Sequence, residues 1–189
     1  MQDSRWATLS YSNPTKMLLG LDELFDSAGI KKYANPGDLL LNRRVRHVAE
    51  DRRCAIFLHG AGQALRKKIL FAAQESSDYD YVGAYEHNGA IHRFPIQLKQ
   101  LVPDRLNSST DLQAELDKLK KYSGLADLVV AIHINRKMHL KPQDLNIAGL
   151  KIKEIWLYGQ LGKGSRDWLL FGNLMAGTQN AYTFQLPAV

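Results

Sequence analysis

The stretch from Ala126 to Ile134, Ala-Asp-Leu-Val-Val-Ala-Ile-His-Ile, is a near-continuous apolar run rich in Val and Ile. A half-buried strand alternates polar with apolar residues, whereas a run of this kind belongs to a strand covered on both faces. Such a strand needs one layer above it and another below. A second strand, Glu154-Ile155-Trp156-Leu157-Tyr158, follows after Pro142 and a short helix. The chain therefore reads as a mixed α/β domain.

The covering layers are expected to be helical. Pro14 and Thr15 open a helix whose Met17, Leu18, Leu21, Leu24 and Phe25 keep three-and-four spacing, and Gly29 is a natural stop. Asn35-Pro36-Gly37 is a turn. A second helix is expected from about Asp38, with Leu41, Val45, Val48 and Arg52 on one stripe, and a third from about Ala61 to Gln74 on Leu65, Ile69 and Ala72. Farther on, Ser109 or Thr110 caps a helix, Thr110 with Gln113 fitting a capping box ahead of Leu112, Leu116 and Leu119, with an Asp117 to Lys121 pair and Gly124 at the end.

Between these helices lies a hairpin. Asp80 precedes Tyr81-Val82-Gly83-Ala84-Tyr85, the turn is His87-Asn88-Gly89, and the return arm runs from Ala90 to Leu101. In that arm Ile96 and Leu98 alternate with Gln97 and Lys99, so one face is apolar while the other presents an amide and an ammonium together. Pro95 lies just before them, in a residue type that strands tolerate chiefly at edges or bulges.

At 189 residues the chain is long enough for one domain with its own core. Residues 1–58 are read as an N-terminal helical extension, 59–160 as the α/β core and 161–189 as a packing segment. The single cysteine, Cys54, excludes a disulfide framework. There is no apolar leader at the N-terminus and no run of spanning length, so a cytoplasmic protein without membrane contact is expected. The net charge of +6 is concentrated in Arg43, Arg44, Arg46, Arg52, Arg53, Arg66, Lys67 and Lys68, which suits a phosphate-bearing partner. Arg43, Arg46, Arg66 and Lys67 are the candidate nucleic-acid contacts.

An Asp at the start of one strand, a polar-x-Lys on the next and then a helix and a strand resemble the core of the restriction-endonuclease-like, or PD-(D/E)XK, nucleases. The likeness covers roughly residues 60 to 135. It implies a restriction-endonuclease-like mixed sheet flanked by helices, and hydrolysis of DNA with Mg²⁺ or Mn²⁺. Asp80 and Gln97 then stand at the metal-ligand positions, Lys99 at the catalytic lysine and Glu50 as an added acid from the preceding helix, with Glu75 second and Asp78 an alternative to Asp80. Gln97 replaces the usual acid and removes one negative charge. The strand that this family carries between its first helix and the Asp is not legible between Gln74 and Asp80.

Other readings are less specific. Cys54 to Gly62 lacks the remaining residues of a phosphate-binding fingerprint, and the histidines lack zinc spacing. A nuclease fold that binds nucleic acid without cutting it is one alternative. Another is an interaction domain in which Trp168, Leu170 and Phe171 dock a partner or a second copy as a homodimer.

Overall fold

In the computed structural model, the doubly covered run becomes the centre of a mixed sheet. The structure describes residues 4–27, 46–74, 76–122, 124–162, 164–177 and 179–188. Among these residues, helices α1 (Pro14–Ser27) and α2 (Arg46–Leu65) precede a meander of β1 (Ile69–Ala73), β2 (Tyr81–His87) and β3 (Ala90–Leu101). The short helix α3 (Leu112–Asp117) tightens into a 3-10 turn, Lys118–Lys121, and leads to β4 (Val129–Ile134). Strands β5 (Glu154–Gln160), β6 (Asp167–Gly172) and β7 (Asn180–Gln185) complete the chain.

The seven strands of the described residues form one sheet in sequence order. Strands β1, β2 and β3 are antiparallel, β4 and β5 run parallel to β3, and β6 and β7 return antiparallel. Parallel neighbours require a crossover, and α3 supplies it between β3 and β4. Helix α2 touches β1 near one end of the order and β7 at the other, so the sheet curls around it.

The apolar run is explained by two cores. Val129 and Ala131 join Ile56, Phe57, Ile96, Trp156 and Tyr158 on the α2 face. Val130 and Ile132 join Val82, Leu112, Leu116, Leu119, Ile155 and Leu157 on the α3 face. Full burial of an aliphatic side chain of this size contributes roughly 1.5–3 kcal/mol, so both parities of β4 are apolar for the same reason.

Several elements differ from expectation. The helix expected over 61–74 ends at Leu65, where Arg66 takes a left-handed φ of 53° and Lys67 N–H bonds Gly62 O at 2.9 Å. Ile69 to Ala73 is a strand, because its apolar residues gain a ladder with β2 that outweighs their helical spacing. The region from Cys54 to Gly62 lies in one helix, and Gly60 admits the Phe184 ring, which would lie 2.6 Å from a Cβ. The start of the expected second helix falls largely outside the described residues.

The cap of α3 is Asp111, whose Oδ1 accepts from Ala114 N–H at 2.7 Å, and not Thr110; Gln113 instead bonds the backbone of Asn146. The ion pairs are Glu115–Lys118 and Asp117–Lys120, because a 3-10 turn aligns residues three apart. The expected tail segment forms β6 and β7. Trp168 and Leu170 are buried in the chain's own core, which removes the apolar patch that a second copy would have used. Among the described residues no helix is long and apolar enough to cross a membrane.

Candidate functional site

Strand β2 begins at Tyr81, opposite Ile96, so β3 from Gln97 onward has β4 on one side and no β2 on the other. A strand edge leaves backbone donors that need acceptors. Asp80 N–H bonds Ile96 O at 2.9 Å, which places Ile96 and Leu98 with their backbone groups toward β2. Asp80 Oδ2 then accepts the leftover Leu98 N–H at 2.9 Å. Pro95, one residue out of phase, turns its ring nitrogen toward the β4 side, where pairing starts only at Ile96, and so costs the ladder nothing.

Gln97 lies directly across from Asp80 and is only 6% exposed. Its Nε2 donates to Asp80 Oδ2 and to Leu98 O, the latter at 3.1 Å. Its Oε1 accepts from the Tyr122 hydroxyl at 3.0 Å. Burial of an amide is tolerated when both ends are bonded, as here. Lys99, two residues along on the same face, holds its Nζ 5.6 Å from the centroid of the Tyr122 ring, and Lys121 approaches that ring to 4.9 Å. The structure thus brings Asp80, Gln97 and Lys99 together around Tyr122, a residue with no signal in the sequence beyond its place after a helix.

A second polar group faces α2. Asp51 Oδ1 accepts from the Tyr81 hydroxyl at 2.8 Å. Burial, and then that bond to a carboxylate, holds the Tyr81 phenol far above its ordinary range. Burial pushes the Cys54 thiol well up too, helped by Asp51 and Asp80, so Cys54 is a packed core residue and no thiolate nucleophile. Asp51, next to Glu50 on α2, is the carboxylate that meets Tyr81, a contact with no signal in the sequence. Glu50 lies 3.6 Å from Arg53, whose guanidinium donates to Gln100 Oε1 at 3.1 Å. Because Gln100 alternates with Lys99, this group faces α2.

His133 pairs in register with Gln100 and stacks on Tyr158 at 5.1 Å. Burial, and then the charges of Arg53 and Arg52, lower its pKa to about 3. It is a neutral ring in a packed stack.

Among the described residues, the basic positions run from one end of α2 to just past the other. Arg43 lies outside the described residues, and Arg46 is the first residue of α2, its side chain outside them as well. Arg66 is exposed just past the other end of that 20-residue helix, about 30 Å away at ~1.5 Å per residue. Lys67 sits 4.0 Å over the Tyr85 ring, roughly 13 Å along β2 from Tyr81 at ~3.3 Å per residue. Arg52 is paired with Asp22 at 3.8 Å. Glu75 is outside the described residues, and Asp78 N–H bonds Ser76 Oγ at 3.3 Å.

Among the described residues, no three His, Cys, Asp or Glu side chains converge on a metal site. The oxygen donors at the notch are the Asp80 carboxylate, Leu98 O and the Gln97 amide oxygen. The Gln97 NH₂ lies between the first two, where two oxygens create a negative potential. Comparison with protein-family models, with curated proteins and with solved structures finds no significant match.

Proposed function

We propose that this chain is a Mg²⁺-dependent nuclease acting on DNA, built as a restriction-endonuclease-like domain, with Asp80, Gln97 and Lys99 as its reacting centre. The observation that carries this reading is the register. Asp80 stands opposite Gln97 where β2 opens away from β3, with Lys99 on the same face. The element order supports it: a helix, three antiparallel strands, a helix and a strand parallel to the third. Strand β1 stands between the first of these helices and Asp80, as the resemblance requires.

The donors fit a hard cation. Mg²⁺ is commonly held by one or two carboxylates with water and substrate phosphate, and Asp80, Leu98 O and the carbonyl end of Gln97 are all oxygen ligands. Reaching it with Gln97 requires the amide to turn its oxygen toward Asp80. The chemistry supplied by a bound Mg²⁺ is neutralisation of the scissile phosphate and a lowered pKa for the attacking water. Lys99 keeps an ammonium on this face to stabilise charge developing on the phosphate. Leu98 N–H fixes the Asp80 carboxylate so that it does not reorganise during the reaction.

One observation favours the non-cutting alternative: the Gln97 amide already satisfies Asp80 without a cation. Purified protein incubated with supercoiled, linear and single-stranded DNA plus Mg²⁺ or Mn²⁺ separates the two. Cleavage that EDTA abolishes, and that falls at least ~100-fold in Lys99→Ala and Asp80→Ala, supports the nuclease. Salt-dependent DNA retention without cleavage supports the binding module. DNA neither cut nor retained refutes both.

A further inference from the structure

Gln97 is the neutral residue at the acid position, and its hydrogen bonds can be counted end by end. Its NH₂ has two acceptors, Asp80 Oδ2 and Leu98 O, while its Oε1 has one donor, the Tyr122 hydroxyl. If the amide reverses, its oxygen meets Leu98 O and an Asp80 carboxylate that keeps the Leu98 N–H, so three oxygens converge. A cation among them offsets their mutual repulsion. The displaced NH₂ then faces Tyr122, whose phenol oxygen can accept where its O–H had donated.

We infer that Tyr122 is a positioning residue that lets the buried Gln97 amide present either end to Asp80, its NH₂ without a cation and its carbonyl with one. This rests on the reading of Asp80 and Gln97 as the cation ligands. Among the described residues no other side chain bonds Gln97 Oε1, and in a position 6% exposed water is a poor substitute. With Phe at position 122 the unreversed amide keeps both acceptors of its NH₂ and loses only a donor to its carbonyl. The reversed amide strands its NH₂, and a buried N–H without a partner is the rarer and costlier fault. Loss of the hydroxyl therefore opposes cation binding. A carboxylate at position 97 has no donor end to accommodate, so there the hydroxyl gives no such advantage.

The test is a Mn²⁺ titration without DNA, by calorimetry and by the electron paramagnetic resonance signal of free Mn²⁺. It uses wild type, Tyr122→Phe, Gln97→Glu, the double variant and Asp80→Asn, each checked for folding by circular dichroism. Tyr122→Phe is expected to weaken Mn²⁺ binding about tenfold in the otherwise wild-type chain and to leave it unchanged or stronger in the Gln97→Glu background. Gln97→Glu alone should tighten binding at least tenfold, and Asp80→Asn should abolish it. Equal weakening by Tyr122→Phe in both backgrounds indicates a structural role and overturns this inference while leaving the cation site standing. Binding by Gln97→Glu with none by wild type overturns it too, because the amide then does not reverse. Failure of Gln97→Glu to bind Mn²⁺ overturns the reading of the site and this inference with it. Should Tyr122→Phe fail to fold, Tyr122→His, which keeps a group able to donate or accept, must retain wild-type affinity, and a tenfold loss there refutes the role.

Discussion

Acidification should destabilise this protein through His133, and the size of the effect follows from its surroundings. Its imidazole Nδ1 is enclosed without a hydrogen-bond partner among the described residues, and the ring lies against Tyr158 and Trp168. Burial, and then Arg53 and Arg52, bring its pKa from 6.5 to about 3. The unfolded chain therefore binds a proton between those values and the folded one does not. Stability from this residue is complete above pH 6.5 and is lost as pH falls toward about 3. One proton contributes at most ~1.4 kcal/mol per pH unit, so by about pH 4 the loss reaches ~3 kcal/mol. His133→Phe keeps an aromatic ring in the stack and removes the titrating group. Urea unfolding of both proteins across this range should show the wild type losing ~3 kcal/mol more than the variant. Parallel stability curves would refute the reasoning, because the titrating group would then lie elsewhere.

Two further substitutions probe the hairpin that builds the site. Asp80→Ala should cost about 2–4 kcal/mol in urea unfolding, since the buried Gln97 NH₂ and Leu98 N–H both lose a charged acceptor; a change within ~0.5 kcal/mol would mean a solvated turn. Gly83 stands across from Phe94, and a Cβ there would lie 2.3 Å from the Phe94 ring. Gly83→Ala should therefore cost about 1–3 kcal/mol, and Phe94→Leu in the same chain should restore part of it; no recovery in the thermal melt would contradict the steric cause.

The site was legible where a local pattern has only one structural solution. Alternation of Ile96, Gln97, Leu98 and Lys99 put the amide and ammonium on one face, and Asn88-Gly89, both at positive φ, set the turn that brings Asp80 across from Gln97. What could not be read were partners brought in from far along the chain. Tyr122 reaches Gln97 because α3 crosses over the sheet, and Asp51 reaches Tyr81 because α2 lies beneath it. The spacing of the basic residues was likewise not legible, because the helix sets Arg46 and Arg66 at its opposite ends.

Strand β4 and the polar arm of β3 were determined by the sequence alone, since apolar periodicity reports how many faces a strand must bury. Strand β1 was decided only by tertiary structure. Leu65, Ile69 and Ala72 match a helix by spacing, yet Ile69 to Ala73 gains a full ladder against β2 and burial of Phe71 in the core. The orientation of Gln97 was decided there as well. Which end of a neutral amide meets Asp80 depends on where the sheet leaves acceptors and where a distant tyrosine hydroxyl arrives, and no residue near it in sequence carries that information.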